Sequence, residues 1–324
     1  MKRKEILLAA AALSFACCTP QPKQDPLPSW NQTPVKARLL NFIEKDVNQI
    51  PVEDRIAVFD MDGTLIGEKP LCAEWMVSVQ RLLALGKTDP AIRESAEYVC
   101  AKKLSVNPRD TSVWNHRSQI GNLIMKAFDG ADSEEYVQFA HDCLLQATNA
   151  DYGIKYVDMF YQPMLELVEL LKQKHFQVYV VSASMQGIVW SICPENIGVE
   201  RTNLIGIRHH KKVSFSPDGK LTYTLRDSSV QPVNGYHGKA INIYDHIGKI
   251  PVMAVGNSYS DFGMFHMASC SKYPNLSMML NHDDAAREYD YHNVRGTHLE
   301  DSLRLNNWVQ VDISKEFNVV WRKK

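Results

Sequence analysis

The chain is predicted to be an α/β protein, a doubly wound parallel sheet with an inserted helical cap and a small β-hairpin. Three observations predict this. Short β-branched runs alternate with amphipathic helical stretches on either side of a long insert. The insert, residues 68–159, is helical in period and has no convincing strand. Ser216-Pro217-Asp218-Gly219 lies between two short strand-like runs and is a strong hairpin signal.

The elements follow in order. Residues 1–17 read as an export signal: Lys2, Arg3 and Lys4 precede an apolar run from Ile6 to Ala16, too short to span a bilayer. Ala16 is a small residue directly before Cys17, which resembles the cleavage and acylation site of a bacterial lipoprotein. An ordinary cleaved secretory signal is the alternative. The expectation is a cell-envelope protein, in the periplasm or on the outer membrane, anchored through Cys17. Residues 18–34, rich in Pro, Gln and Lys at the start, read as a flexible tether.

Residues 35–67 and 160–324 are assigned to the core. Leu39, Leu40, Phe42, Ile43 and Val47 form a helical stripe. Ile56 to Phe59 is a short apolar run suited to a strand buried on both faces. In the insert, Trp75, Val79, Leu82 and Leu83 mark one helix and Ile92, Ala96, Val99 and Cys100 another; further helices are expected around 120–128 and 134–146. Residues 163–174 should be a helix opened by proline, and Gln177 to Val181 a strand ending at Ser182. Strands are also expected at 203–207, 251–255 and 276–280, the last closing the sheet, with helices at 238–247 and 259–268.

Composition bounds the partners. A formal net charge of −1 with 23% charged residues gives no reason to expect nucleic acid. Contact with a membrane is expected through the N-terminal anchor alone. With Cys17 acylated, Cys18, Cys72, Cys100, Cys143, Cys193 and Cys270 remain; no CxxC pair occurs, and buried thiols are at least as fitting as a bridge.

Chemistry concentrates in Asp60-Met61-Asp62-Gly63-Thr64. Asp60 follows the first strand, where open α/β sheets bind ligands, and Asp62 points the same way from an extended backbone. Two carboxylates in one crevice call for a cation. Three weaker signals follow. Ser182 stands at a strand end, where the next helix would add an N–H cradle for an anion, although a serine there is equally an ordinary cap. Lys239 begins a helix, the place of many surface lysines. Asn257 and Asp261 straddle a strand-to-helix turn, as half of a hard-cation site or as a helix cap.

In that order, these four signals resemble the haloacid dehalogenase-like superfamily of phosphohydrolases, over residues 52–66 and 161–282. The insert lies where phosphoserine phosphatase-like members carry a cap. The resemblance implies that Asp60 is the nucleophile of an aspartyl-phosphate intermediate and Asp62 the acid and then the base. It implies that Ser182 and Lys239 hold the phosphoryl oxygens, and that Mg²⁺ is bound by Asp60, Asp62 through its carbonyl, and the last motif, Asn257 and Asp261, with Asp261 either a direct ligand or a residue that orients the site. The family usually has Asp where Asn257 stands, which removes a negative charge. About 55 residues separate Ser182 from Lys239, an elaboration that contains the hairpin.

Asp62 also favours an ester-cleaving member over a dehalogenase, since dehalogenation has no leaving alcohol to protonate. The expected substrate is a small phosphorylated metabolite: phosphoserine, phosphorylcholine or a broad range of monoesters. Glu68 lies near the place where phosphoserine phosphatase-like enzymes bind a substrate ammonium, though in a shifted register. Trp75, Trp114, Tyr152, Tyr156 and Tyr161 would cage an aminoalcohol with it, or simply pack the cap. The alternatives are a phosphomutase, which export disfavours, and a non-catalytic envelope lipoprotein whose fold serves as a binding module.

Overall fold

The computed structural model describes residues 25–323 apart from 116, 292, 295 and 296, with residues 117–120 described in backbone only. The proposed signal and Cys17 lie outside the described residues. No helix among the described residues is long and apolar enough to cross a membrane.

Six parallel strands form the main sheet: β1 (Ile56–Phe59), β2 (Gln177–Met185), β3 (Leu204–Ile207), β6 (Met253–Gly256), β7 (Leu276–Asn281) and β8 (Val309–Asp312). Their order is β3-β2-β1-β6-β7-β8, with β4 (His209–Phe215) and β5 (Leu221–Ser229) forming a separate antiparallel hairpin. β1 pairs with β2 on one side and with β6 on the other. The strand order therefore turns outward in both directions from β1, which makes the end of β1 a topological switch point and opens a crevice there.

Side-chain alternation explains the layers. Ala57 and Phe59 pack into one core with Val178, Val180 and Val255, while Ile56 and Val58 pack into the other with Val181, Ala254 and Phe265. The first face is covered by helices Pro34–Glu44, Gln162–Gln173 and Gln186–Ile197, and the second by His237–Ile247 and Phe262–Ser269. Burying β1 on both faces explains its lack of polar residues.

Among the described residues between β1 and β2 the regular elements are helices, chiefly Ala73–Leu85, Ala96–Val106, Arg117–Ala127 and Ser133–Gln146. This helical layer meets the core a second time through the hairpin. Gly130 and Ala131 exchange backbone hydrogen bonds with Leu225 at 3.0 and 2.9 Å, and the Asp132 carboxylate accepts from the Tyr223 N–H at 3.1 Å.

Three sequence expectations are corrected. The stretch read as tether to residue 34 is packed from residue 25 onward: Leu27 and Trp30 are buried, and the Trp30 indole donates to the Pro163 carbonyl at 3.0 Å. Lys36, itself buried, ties this segment down by donating to Asp25 and to the Leu27 and Trp30 carbonyls. β2 continues past Ser182 to Met185, since alternation can carry serines as easily as valines when the strand end faces a polar crevice. The sheet closes with β8, not with β7, because the short Val309–Asp312 run pairs with the end of β7. The first strand of the hairpin, β4, begins at His209. The five described cysteines are all free thiols.

Candidate active site

The crevice at the end of β1 is built by four strand ends. Asp60 follows β1 directly, and its backbone N–H is held by the Val255 carbonyl of β6 at 2.9 Å. Gly63 then turns the chain with a φ of +74°. A side chain is excluded there twice over, by that backbone and because a Cβ would lie 1.9 Å from Asn257 Nδ2.

Lys239, at the first turn of helix His237–Ile247, is buried and donates to Asp60 Oδ1 at 2.5 Å and to Asp261 Oδ1 at 2.6 Å. Burial works against its charge, but Asp261 and Asp60 outweigh that and raise its pKa. Asp60 itself is raised well above the usual carboxylate range, first by burial and then by the charge of Asp261, with Lys239 opposing. Desolvation exceeds pairing there, so Asp60 is poorly stabilised as an anion until another cation or an electrophile arrives.

Asp62 is the second carboxylate of the crevice. Its Oδ2 accepts from the Ser184 hydroxyl at 2.7 Å and from Ser182 at 3.4 Å. Its Oδ1 is buried without a hydrogen-bond partner among the described residues. Burial pushes its pKa up to about 6; Ser184 opposes the shift and Glu68 adds to it. A carboxyl poised there exchanges a proton near neutral pH, as an acid–base catalyst must.

A family model for haloacid dehalogenase-like hydrolases matches residues 57–266, well over half of the chain. The chain belongs to the haloacid dehalogenase-like hydrolases. A search of curated proteins found no match. Among solved structures, a protein of unknown function from Bordetella pertussis Tohama I is 13% identical, with 80% of this chain and 98% of that one covered at a TM-score of 0.51. A functionally unknown protein from Anaerococcus prevotii DSM 20548 is 16% identical, with 84% and 88% covered at the same TM-score, 0.51. A phosphoserine phosphohydrolase-like protein from Francisella tularensis subsp. tularensis SCHU S4 is 13% identical, with 81% and 97% covered at a TM-score of 0.40. These likenesses concern the fold alone.

In this haloacid dehalogenase-like chain the structure brings Asp60, Asp62, Ser182, Lys239, Asn257, Asp261 and Glu68 around one crevice, though not all as expected. Ser182 does not begin a helix; its hydroxyl accepts from the Ser184 N–H at 2.9 Å, and Ser184 makes the shorter contact to Asp62. Asp261 is fully occupied. Oδ1 holds Lys239, while Oδ2 accepts from the N–H groups of Asn257 and Ser258, each at 2.9 Å. Of the two roles open to Asp261, ligating a metal or orienting the site, these contacts serve the second: its oxygens place Lys239 and shape the turn. The aromatic cage also fails to form. Trp75 packs edge-on against Trp114, Tyr161 stacks on Trp321, and the Tyr156 hydroxyl is bonded to the Leu71 carbonyl. Glu68 instead accepts from Tyr291 at 2.7 Å and from Asn257 Nδ2 at 3.2 Å.

Hydrolases of this family generally use Mg²⁺. The donors on this crevice suit a hard cation in part: the Asp60 carboxylate and the oxygen of an Asn257 amide whose nitrogen is already engaged. Among the described residues no cluster of three or more His, Cys, Asp or Glu side chains has the arrangement of a metal site. A cation here would thus depend on an amide and on backbone carbonyls as much as on carboxylates.

Sequence reasoning missed Ser184 and Glu74. Ser184 stands two residues after Ser182 on the same strand face, a signal legible once the strand is extended. Glu74, in the first turn of the first insert helix, is buried and accepts from the Met185 N–H at 2.7 Å, joining the insert to the end of β2. Burial, with a contribution from Asp62, pushes its pKa up to about 8.

Proposed function

We propose that the protein is a Mg²⁺-dependent phosphomonoester hydrolase acting on a small phosphorylated metabolite. The observation that carries this reading is the pairing of two different carboxylates in one crevice: Asp60 gripped by Lys239, and Asp62 held by serines with a pKa near neutrality. Two carboxyl groups separated in this way divide the labour of ester hydrolysis.

Asp60 Oδ2 attacks phosphorus, and the bond to the ester oxygen breaks. Asp62 gives its proton to the departing alkoxide, so an alcohol leaves. Asp62, now a carboxylate, takes a proton from water; that water attacks the aspartyl-phosphate, releasing phosphate and restoring Asp60. Lys239 holds Asp60 in line and keeps a positive charge beside the transferring group. Mg²⁺, when bound through Asp60, the Asp62 carbonyl and Asn257, supplies the charge neutralisation that lets two anions meet. Phosphoserine, phosphorylcholine and a broad range of monoesters stay the candidate substrates. The side chain above Asp62 would contact Glu68, Tyr291 and the insert.

We place the protein in the cell envelope through acylated Cys17, on the N-terminal sequence alone. Release of phosphate from p-nitrophenyl phosphate and a panel of monoesters, with and without Mg²⁺, tests the activity. Turnover is expected to vanish in Asp60→Asn; equal turnover in that variant would sink the mechanism.

A further inference from the structure

At the end of β7, His282 is wholly buried and does something the sequence did not announce. One ring nitrogen, Nε2, lies 2.8 Å from the Gly63 carbonyl. The other, Nδ1, lies 3.0 Å from each oxygen of Glu288. Glu288 in turn accepts from the Tyr161 hydroxyl at 2.9 Å. The ring stacks on Tyr291, centroid to centroid at 4.5 Å, and Tyr291 is the residue that donates to Glu68.

A backbone carbonyl only accepts, and a carboxylate that already receives a tyrosine proton accepts as well. The Gly63 carbonyl therefore requires a proton on Nε2, and Nδ1 shares a hydrogen bond with the Glu288 carboxyl. Gly63 is consequently pinned at both backbone groups, its N–H by the Ile66 carbonyl at 2.7 Å and its carbonyl by His282. Gly63 follows Asp62 directly and sits in a positive-φ turn, and His282 is the side chain that holds its carbonyl.

We propose that His282, backed by Glu288, is a positioning residue that fixes the Gly63 turn and so aims the Asp62 carboxyl at the departing oxygen. This rests on the hydrolase reading above. Its consequence is selective. A misaimed acid harms esters whose alcohol must be protonated to leave, and spares esters whose leaving group departs as a stable anion. A brace that served stability alone would lower turnover of both by the same factor.

The experiment compares kcat/KM for an alkyl phosphate and for p-nitrophenyl phosphate, since kcat/KM reports the steps up to the phosphorylated enzyme. In His282→Ala the alkyl ester is expected to fall by about 100-fold and the nitrophenyl ester by less than about threefold. His282→Gln, which fills the space and can donate to one partner only, serves where alanine folds poorly; a smaller split of the same sign is expected. Equal losses on both esters, or no loss, overturn the proposal. Nitrogen-15 spectra of ring-labelled wild-type protein, with the His282 signal assigned by its disappearance in His282→Gln, give a second readout that needs no turnover. A protonated Nε2 is expected, and an Nε2 without a proton overturns the bridge. A wild type inert to both esters would defeat the hydrolase reading instead, and the spectra would still decide the bridge.

Discussion

Asn257 donates its amide N–H to Glu68 Oε1 at 3.2 Å, so the residue that departs from the family's usual aspartate is bonded to the acid just beyond the first motif. The two positions are chemically linked. An aspartate at 257 would set a carboxylate against Glu68, where an amide now satisfies it.

Asn257→Asp alone is therefore expected to destabilise the protein by about 1–3 kcal/mol without lowering the Mg²⁺ concentration needed for half-maximal turnover. Adding Glu68→Gln should recover the stability and lower that concentration. Thermal midpoints and Mg²⁺ titrations of both single variants and the double variant form the test. Additive effects, with no coupling above about 0.5 kcal/mol, would show the two residues to be independent.

Lys239 is the only group seen to bridge Asp60 and Asp261 among the described residues. Replacing it with Met leaves two buried carboxylates facing each other, so Lys239→Met should abolish turnover and cost about 3–5 kcal/mol of stability. Asp261→Asn should slow turnover through a displaced Lys239 while leaving Mg²⁺ affinity unchanged. A large loss of Mg²⁺ affinity in that variant would restore Asp261 to the ligand set.

Ser184→Ala removes the shorter of the two hydroxyl contacts to Asp62. One hydrogen bond to a charged group is worth about 1.5–3 kcal/mol, which corresponds to roughly tenfold or more in kcat/KM. Ser182→Ala, which removes the 3.4 Å contact, should lose less through Asp62. Steady-state kinetics on one monoester would rank them, and the reverse order would return the leading role to Ser182.

Glu74 gives stability a pH dependence. Its pKa is about 8 in the fold against 4.5 for the free side chain. Between those values the folded chain keeps a proton that the unfolded chain has released, so stability falls as pH rises through this window and levels off above it. Glu74→Gln keeps the acceptor for Met185 and removes the ionisation. The variant is expected to gain on the wild type by about 1 kcal/mol or more between about pH 5 and about pH 8. Parallel midpoints across that range would contradict the assignment.

The sheet, the helical insert and the hairpin were legible because they rest on local signals: apolar runs, helical periods and a Pro-Asp-Gly turn. Asp60, Asp62, Lys239 and Asp261 were legible from their order along the chain. Their partners were not. Ser184 required knowing that β2 runs on, and β8 is four residues long and declares itself only by pairing. His282 and Glu288 sit six residues apart in a segment without a period, and it is tertiary folding that sets them behind Gly63. Asp261 shows the converse. Its position in the motif was plain, but its use depends on which oxygen each neighbour takes.

The exchange between Leu225 and residues 130–131 ties the insert to the hairpin by backbone pairing, in addition to its two chain ends and the Glu74–Met185 contact. A lid held by two linkers swings as a body; one that also shares backbone pairing with a hairpin must unzip before it swings. Any separation of the insert from the hairpin must break these hydrogen bonds, each worth about 0.5–1.5 kcal/mol. The amide protons of Gly130, Tyr223 and Leu225 thus become a built-in gauge of opening, and their deuterium exchange should quicken together.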